Sequence, residues 1–323
     1  MIAWPAPTMT PLGRQKLAVY DFGPPSGPSG GDVVLLHGMA DVARSLEPLA
    51  QSLVDDYRVV AFDARGHGRS SHPGAYSQFH FVGDLLGVLD ACRIENPILL
   101  GHSLGGHTVA NFAGLYPDRV RGAVLMEGLG PPSAPMPDTA KANLDHARAM
   151  IGVVRSSPHH RPQPDLEAAA ARLAAIHPRL DPDRALVLAE EGTIPGPDGG
   201  RVWRHDERTW HWVSSVDNRA LGQRWAAITA PVLVISGGEA WDNWWARPGR
   251  PTAGRLKMTD EQFAARLGLF ADVEHVELAE AGHMVHFDQP ERINQLVNDF
   301  LDRRVVDSSQ EPPQARHHPG RSR

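Results

Sequence analysis

Short apolar runs recur along this chain, each bounded by turn-forming residues. Six of them read as strands: Val33-Val34-Leu35-Leu36, Arg58-Val59-Val60-Ala61-Phe62, Pro97-Ile98-Leu99-Leu100, Ala123-Val124-Leu125-Met126, Pro231-Val232-Leu233-Val234-Ile235 and the stretch 273–278. Unbroken apolarity, rather than alternation, marks strands buried on both faces. Segments of helical period lie between them, over 45–54, 79–92, 104–115 and 291–302. Strands alternating with helices predict an α/β fold: a mostly parallel central sheet with helices on both faces. The run 16–22 predicts an edge strand, and residues 1–14 before it a loose arm.

The alternation breaks once. Between Pro131 and Thr229 no strand is predicted, only helical segments over 141–154, 166–176, 184–191 and 218–227 joined by Pro- and His-bearing loops. An all-helical insertion between two sheet strands is expected to form a lid over the carboxyl edge of the sheet. The expected organisation is therefore a core domain over 1–130, a helical cap over 131–229 and the rest of the core over 230–303. A polar tail over 304–323 is expected to be disordered.

Composition narrows the function classes. At 323 residues, 41% apolar and 22% charged, the chain reads as globular. A balance of 32 basic against 38 acidic residues supplies no field for nucleic acid or an anionic membrane. The single cysteine, Cys92, excludes an internal disulfide framework and a cysteine-based zinc site. No apolar stretch approaches the roughly 20 residues that span a bilayer, so membrane insertion is not expected. The first residues carry neither a basic nor a long apolar region, so a cytoplasmic location is expected. There is no Gly-x-x-x-x-Gly-Lys, no His-Glu-x-x-His and no dinucleotide fingerprint. No cofactor and no metal are expected.

The sharpest chemical signal is Gly101-His102-Ser103-Leu104-Gly105-Gly106, set between a predicted strand and a predicted helix. That context is what a nucleophile elbow requires: glycines permit the sharp turn that lifts a hydroxyl above the sheet edge. His37-Gly38 ends an earlier strand, so the Met39 N–H can join the Leu104 N–H as a two-donor oxyanion hole. Asp63-Ala64-Arg65-Gly66-His67-Gly68-Arg69-Ser70 suits a tight loop in which Asp63 and Arg65 are structural. Ala281-Gly282-His283-Met284-Val285-His286-Phe287 follows the last strand, where a loop can return an imidazole to Ser103. His283, beside Gly282, is preferred to His286, which is expected to begin the last helix.

Together these motifs resemble the α/β-hydrolase-fold serine hydrolases of the esterase, lipase and peroxidase-like group. The resemblance covers roughly 15–130 and 228–303. It implies Ser103 as nucleophile, His283 as base, and Met39 and Leu104 as oxyanion donors. Relatives usually place the triad acid three residues after the glycine that closes the strand 231–235. Here counting from Gly237 or Gly238 reaches Ala240 or Trp241. Three carboxylates remain in contention. Glu127, after the strand 123–126, is preferred, being similar in position to the acid of certain haloalkane dehalogenases and lactonases; Asp242 and Glu239, in the loop after 235, are the alternatives. Trp241, Trp244 and His102 are expected to line the substrate pocket.

The implied activity is cofactor-free hydrolysis of carboxylic esters or lactones through an acyl-enzyme, on a small apolar or aromatic substrate. Carbon–carbon bond hydrolysis, amidase and perhydrolase chemistry share the same triad. A ligand receptor of this fold with little turnover stands as the alternative from another class. A serine at the elbow argues against dehalogenase or epoxide hydrolase chemistry, for which relatives use aspartate.

Overall fold

The computed structural model describes residues 2–27, 29–129, 160–196, 198–215, 218–242 and 257–306, with isolated positions between 141 and 155. Eight strands form one sheet: β1 (Thr8–Leu12), β2 (Gln15–Asp21), β3 (Asp32–Leu36), β4 (Arg58–Phe62), β5 (Ile98–His102), β6 (Gly122–Met126), β9 (Val232–Gly237) and β10 (Val273–Leu278). Their order is β1-β2-β4-β3-β5-β6-β9-β10, antiparallel only where β2 meets its two neighbours. The mostly parallel sheet with helices on both faces is thus the α/β fold expected from the sequence.

Both faces are covered by helices. Against one lie α2 (Gln78–Cys92), α3 (Leu104–Leu115) and α6 (Asn218–Trp225), burying Val34, Leu99, Leu125 and Val234 with Leu85, Phe112 and Trp225. Against the other lie α1 (Glu47–Leu53) and α9 (Pro290–Phe300), burying Leu35, Leu100, Val124 and Ile235 with Leu49, Val297 and Phe300. Successive strand residues point to opposite faces, so the unbroken apolar runs supply both cores at once.

Three expectations change. Residues 1–14 are not a loose arm throughout, because β1 lies within them and pairs with β2 from Thr8↔Val19 to Leu12↔Gln15. Pro11 can sit there because β1 is the sheet edge. The chain also remains ordered past 303: Leu301–Val306 continue α9 as a wider helical turn, and Val305 is buried over Gly122. The rest of the expected tail, 307–323, lies outside the described residues.

The third change concerns the insertion, which is not all helical. Its described part holds α4 (Leu166–Ile176), α5 (Pro182–Gly192) and a hairpin of β7 (Thr193–Pro195) and β8 (Arg201–Trp203), followed by a 3-10 segment over Glu207–Ser215 and α6. The hairpin escaped a periodicity reading because its strands are only three residues long, too short to show alternation. Also described are α7 (Asp260–Leu267) and the single turn α8 (Val285–Asp288). Among the described residues no helix is long and apolar enough to cross a membrane.

Candidate active site

Sheet order sets up the site. β5, β6, β9 and β10 lie side by side, and their carboxyl ends are in register through His102↔Met126, Met126↔Ile235 and Leu278↔Gly237. Each chain leaves its strand at the same edge. Ser103 follows β5 and its N–H donates to Met126 O at 2.8 Å; Glu127 follows β6 and its N–H donates to Ile235 O at 2.8 Å. Two residues here hold left-handed backbone without being glycine, Ser103 (φ 50°, ψ −111°) and Glu127 (φ 52°). Such conformations cost free energy and persist only where surrounding contacts fix them.

Close packing requires the elbow glycines. A Cβ on Gly101 would lie 2.3 Å from the Gly105 carbonyl carbon, and one on Gly105 would lie 2.2 Å from Leu36 O. The hydroxyl of Ser103 therefore stands at a turn compressed between β5, β3 and α3. It donates to His283 Nε2 at 3.0 Å, and His283 Nδ1 donates to Glu127 Oε2 at 2.9 Å. The structure so brings together Ser103, His283 and, of the three candidate acids, Glu127.

The glycines after β9 explain why the acid comes from β6. A Cβ on Gly237 would collide with Gly282 O at 2.2 Å and Ala281 O at 2.5 Å, so the His283 loop lies directly on this strand end. The Gly237 N–H donates to Glu127 Oε1 at 2.8 Å, holding the carboxylate beneath that loop. Burial pushes the Glu127 carboxyl up to about 8, with the Gly237 N–H opposing the rise. Glu239 instead pairs with Arg179 at 2.8 Å, and Asp242 is exposed while His283 is 3% exposed. Neither takes the place at His283 Nδ1 that Glu127 holds.

The loops around the elbow are rigidly held. Ala64 N–H donates to His37 Nε2 at 2.9 Å, which leaves Nδ1 protonated to donate to Gly38 O at 2.7 Å. Asp63 accepts from Tyr20 Oη at 3.0 Å and from the Ala43 and Arg69 N–H groups at 2.9 Å each. Arg65 grips Asp84 with two bonds of 2.6 Å. These contacts fit the structural reading of Asp63 and Arg65. The Met39 and Leu104 N–H groups have no partner among the described residues, as donors kept for a ligand require.

The expected pocket residues fall differently. A cavity of about 460 Å³ is bounded by Met39 beside the elbow and by Met284 and Phe287 beside His283; Leu173, Ile176 and Leu188 of the insertion face them. Trp203 and Trp210 line it too, as do Arg172, Arg204, His177 and His205. Trp241 lines a smaller cavity of about 180 Å³ near Glu127 instead, and Trp244 lies outside the described residues. His102 lines neither cavity: its ring is buried and Nε2 donates to His283 O at 2.8 Å. A side chain one residue before the nucleophile turns under the base, not out to solvent. The basic lining was missed because Arg172 and Arg204 lie far along the chain from every motif and only the insertion's folding brings them in.

The alpha/beta hydrolase fold family matches residues 32–290. The chain belongs to that family. It is similar to 2-(acetamidomethylene)succinate hydrolase of Mesorhizobium japonicum, 27% identical over 292 residues that cover 90% of this chain and 93% of the relative. A local match of 41% over 104 residues, 31% of this chain and 29% of the relative, links it to epoxide hydrolase B of Mycobacterium tuberculosis. The thioesterase domain from the curacin biosynthetic pathway shares the fold, with a TM-score of 0.75 at 23% identity, covering 90% of this chain and 98% of that one. These relatives support a general hydrolase role for the chain.

Proposed function

We propose that the protein is a serine hydrolase of carboxylic esters or lactones, working through an acyl-enzyme with Ser103, His283 and Glu127 as its triad. The observation that carries this reading is the continuous relay from Ser103 Oγ to His283 Nε2 and from His283 Nδ1 to Glu127 Oε2, at 3.0 and 2.9 Å. Ser103 Oγ attacks the carbonyl carbon as His283 Nε2 takes its proton. The Met39 and Leu104 N–H groups receive the oxyanion. The C–O bond breaks with the proton passing to the leaving alkoxide, and water activated by the same imidazole then hydrolyses the acyl-serine. Glu127 holds the Nδ1–H tautomer and stabilises the imidazolium formed in each half-reaction.

The local likeness to an epoxide hydrolase does not carry over to the chemistry. Serine opening an epoxide forms an ether, which the triad cannot hydrolyse, whereas a carboxylate nucleophile forms an ester that water can cleave. The cavity favours a substrate with an apolar body and an acidic group. Trp203, Trp210 and Phe287 supply the apolar wall. Arg204 is half-buried, its Nε donates to Thr193 O at 3.1 Å, and desolvation with nearby Arg69 lowers its pKa, a strain that a bound anion relieves. A fluorophosphonate probe should label Ser103 in the native protein, and aryl esters and ring lactones with a carboxylate should turn over faster than their neutral analogues. Labelling at another residue would remove the serine-hydrolase reading.

A further inference from the structure

Beside the triad sits a group of polar side chains, one half-buried aspartate and two buried histidines, that ester hydrolysis does not use. Asp41 follows β3, His102 closes β5 and His286 lies in α8, yet each brings one ligand-type atom to within 4.8 Å of the others. Asp41 Oδ2, His102 Nδ1 and both ring nitrogens of His286 are buried with no hydrogen-bond partner. Interior polar atoms are almost always paired, because leaving them unpaired forfeits their hydration with no return. Several such atoms converging on one point imply something that binds them.

The groups are arranged as ligands. His102 Nε2 donates to His283 O at 2.8 Å, which puts the free lone pair on Nδ1 and fixes the ring, as an outer hydrogen bond does for metal-bound histidine. Asp41 Oδ1 accepts the Val42 N–H at 2.9 Å, the Ser45 hydroxyl lies beside the carboxylate, and Oδ2 is 3.9 Å from His286 Nε2. The His102 and His286 rings lie 4.5 Å apart between centroids. In a tetrahedral zinc site, bonds of about 2.0–2.2 Å set ligand atoms roughly 3.3–3.5 Å apart, so small side-chain rotations close this triangle. Asp41 also lines the large cavity, which offers an ion a route in.

We propose that Asp41, His102 and His286 bind one divalent transition-metal ion, zinc being the ion that two imidazoles and a carboxylate suit. The site stands apart from the hydrolytic reading and is tested by binding, not by turnover. Metal-stripped full-length protein titrated with zinc chloride should take up one equivalent per chain, and His286→Ala and Asp41→Asn should each weaken uptake at least tenfold. His160→Ala should leave it unchanged, since His160 pairs with Glu207 at 3.2 Å elsewhere on the cavity wall. Should either variant fail to fold, the anomalous signal at the zinc edge in zinc-soaked wild-type crystals decides the matter. A peak among the three side chains supports the site. A peak elsewhere, a water molecule in its place, or uptake lost with His160 overturns it.

Discussion

The sheet edge that carries the triad and the insertion that faces it are held by different forces. On the sheet side, Ser103, Glu127 and the His283 loop are fixed by backbone hydrogen bonds to Met126, Ile235 and Gly237 and by glycine contacts that admit no Cβ. On the insertion side, α4 and α5 rest on Val42, Met284 and Phe287 through Ala169, Leu180 and Leu188, and Trp212 rests on Met39 and Leu104. Long side chains complete that contact: Glu191 meets Arg44 at 3.2 Å and Arg69 at 3.0 Å, and Arg184 meets Glu47. Backbone in register leaves a reacting atom little freedom. Side-chain contacts hold a wall in place while letting its composition vary. Changes on the sheet side should therefore alter turnover, and changes on the insertion side should alter which substrate binds.

The largest effect is expected at Ser103. Ser103→Ala removes the atom that forms the covalent intermediate, and loss of a triad nucleophile costs on the order of 10⁶ in kcat. The backbone strain at this position comes from the Cβ, which alanine keeps, and the lost hydroxyl's bond is to His283, so thermal unfolding should be little changed. Steady-state kinetics with an aryl ester, read beside a melting curve, checks both halves.

Glu127→Gln should cut kcat by roughly 10³–10⁴, the scale of losing the carboxylate that orients the base. Asp242→Asn and Glu239→Gln should cost far less. The same substitution should act on stability with the opposite sign. Burial raises the folded carboxyl from an ordinary 4.5 to about 8, so the folded state binds the proton more tightly than the unfolded chain. Its contribution is full below about 4.5 and is lost as pH rises through 8. Glutamine mimics the protonated form, so relative to wild type the variant should gain stability between those limits. Below its pKa, Glu127 donates to Nδ1 and turns the wrong imidazole tautomer towards Ser103. Turnover should therefore climb with pH towards 8, the direction in which stability falls. Equal stability of the two proteins at pH 5 and at pH 8 would sink this account.

The sheet side was also the more legible in sequence. Unbroken apolar runs place β3 to β6 and β9, and Gly-x-Ser-x-Gly between strand and helix marks the elbow, because both signals are local. The choice of acid is not local. It depends on β6 and β9 being neighbours and on Gly237 and Gly238 letting the His283 loop settle onto β9, which no spacing rule carries. In the insertion the expected 166–176, 184–191 and 218–227 correspond to α4, α5 and α6, the expected 141–154 lies largely outside the described residues, and neither the short hairpin nor the basic face was legible. Arg204 and Arg172 look like ordinary surface residues until β8 and α4 fold against the cavity. The grouping of Asp41, His102 and His286 is equally invisible, as three segments far apart in the chain contribute one residue each.

Arg204 tests the selective wall. Arg204→Gln keeps a polar group of moderate length but removes the cation. The KM for a carboxylate-bearing ester should rise about tenfold, the worth of one charge-assisted hydrogen bond of roughly 1.5 kcal/mol. The KM for the neutral analogue should stay within a factor of two, and kcat for both should hold. Equal rises for the charged and neutral esters would mean that Arg204 shapes the wall without reading charge.

The smallest effect is expected at the contact between the two walls. Glu191 sits at the end of α5 and joins Arg44, which follows β3, and Arg69, which follows β4. All three side chains are partly solvent-exposed, and ion pairs of this kind contribute roughly 0.2–1 kcal/mol each because water screens them. Glu191→Gln should therefore destabilise the protein by no more than about 1–2 kcal/mol, with the loss shrinking in high salt. The triad hangs from the sheet and not from α5, so kcat should change less than twofold. Arg44 and Arg69 released from Glu191 let α5 and Leu188 shift over the cavity, and KM should rise about two- to threefold for large substrates and not for acetyl esters. A fall in kcat matching that rise would show that the insertion positions the reacting groups as well as the substrate, and that the division between the two walls is not the one drawn above.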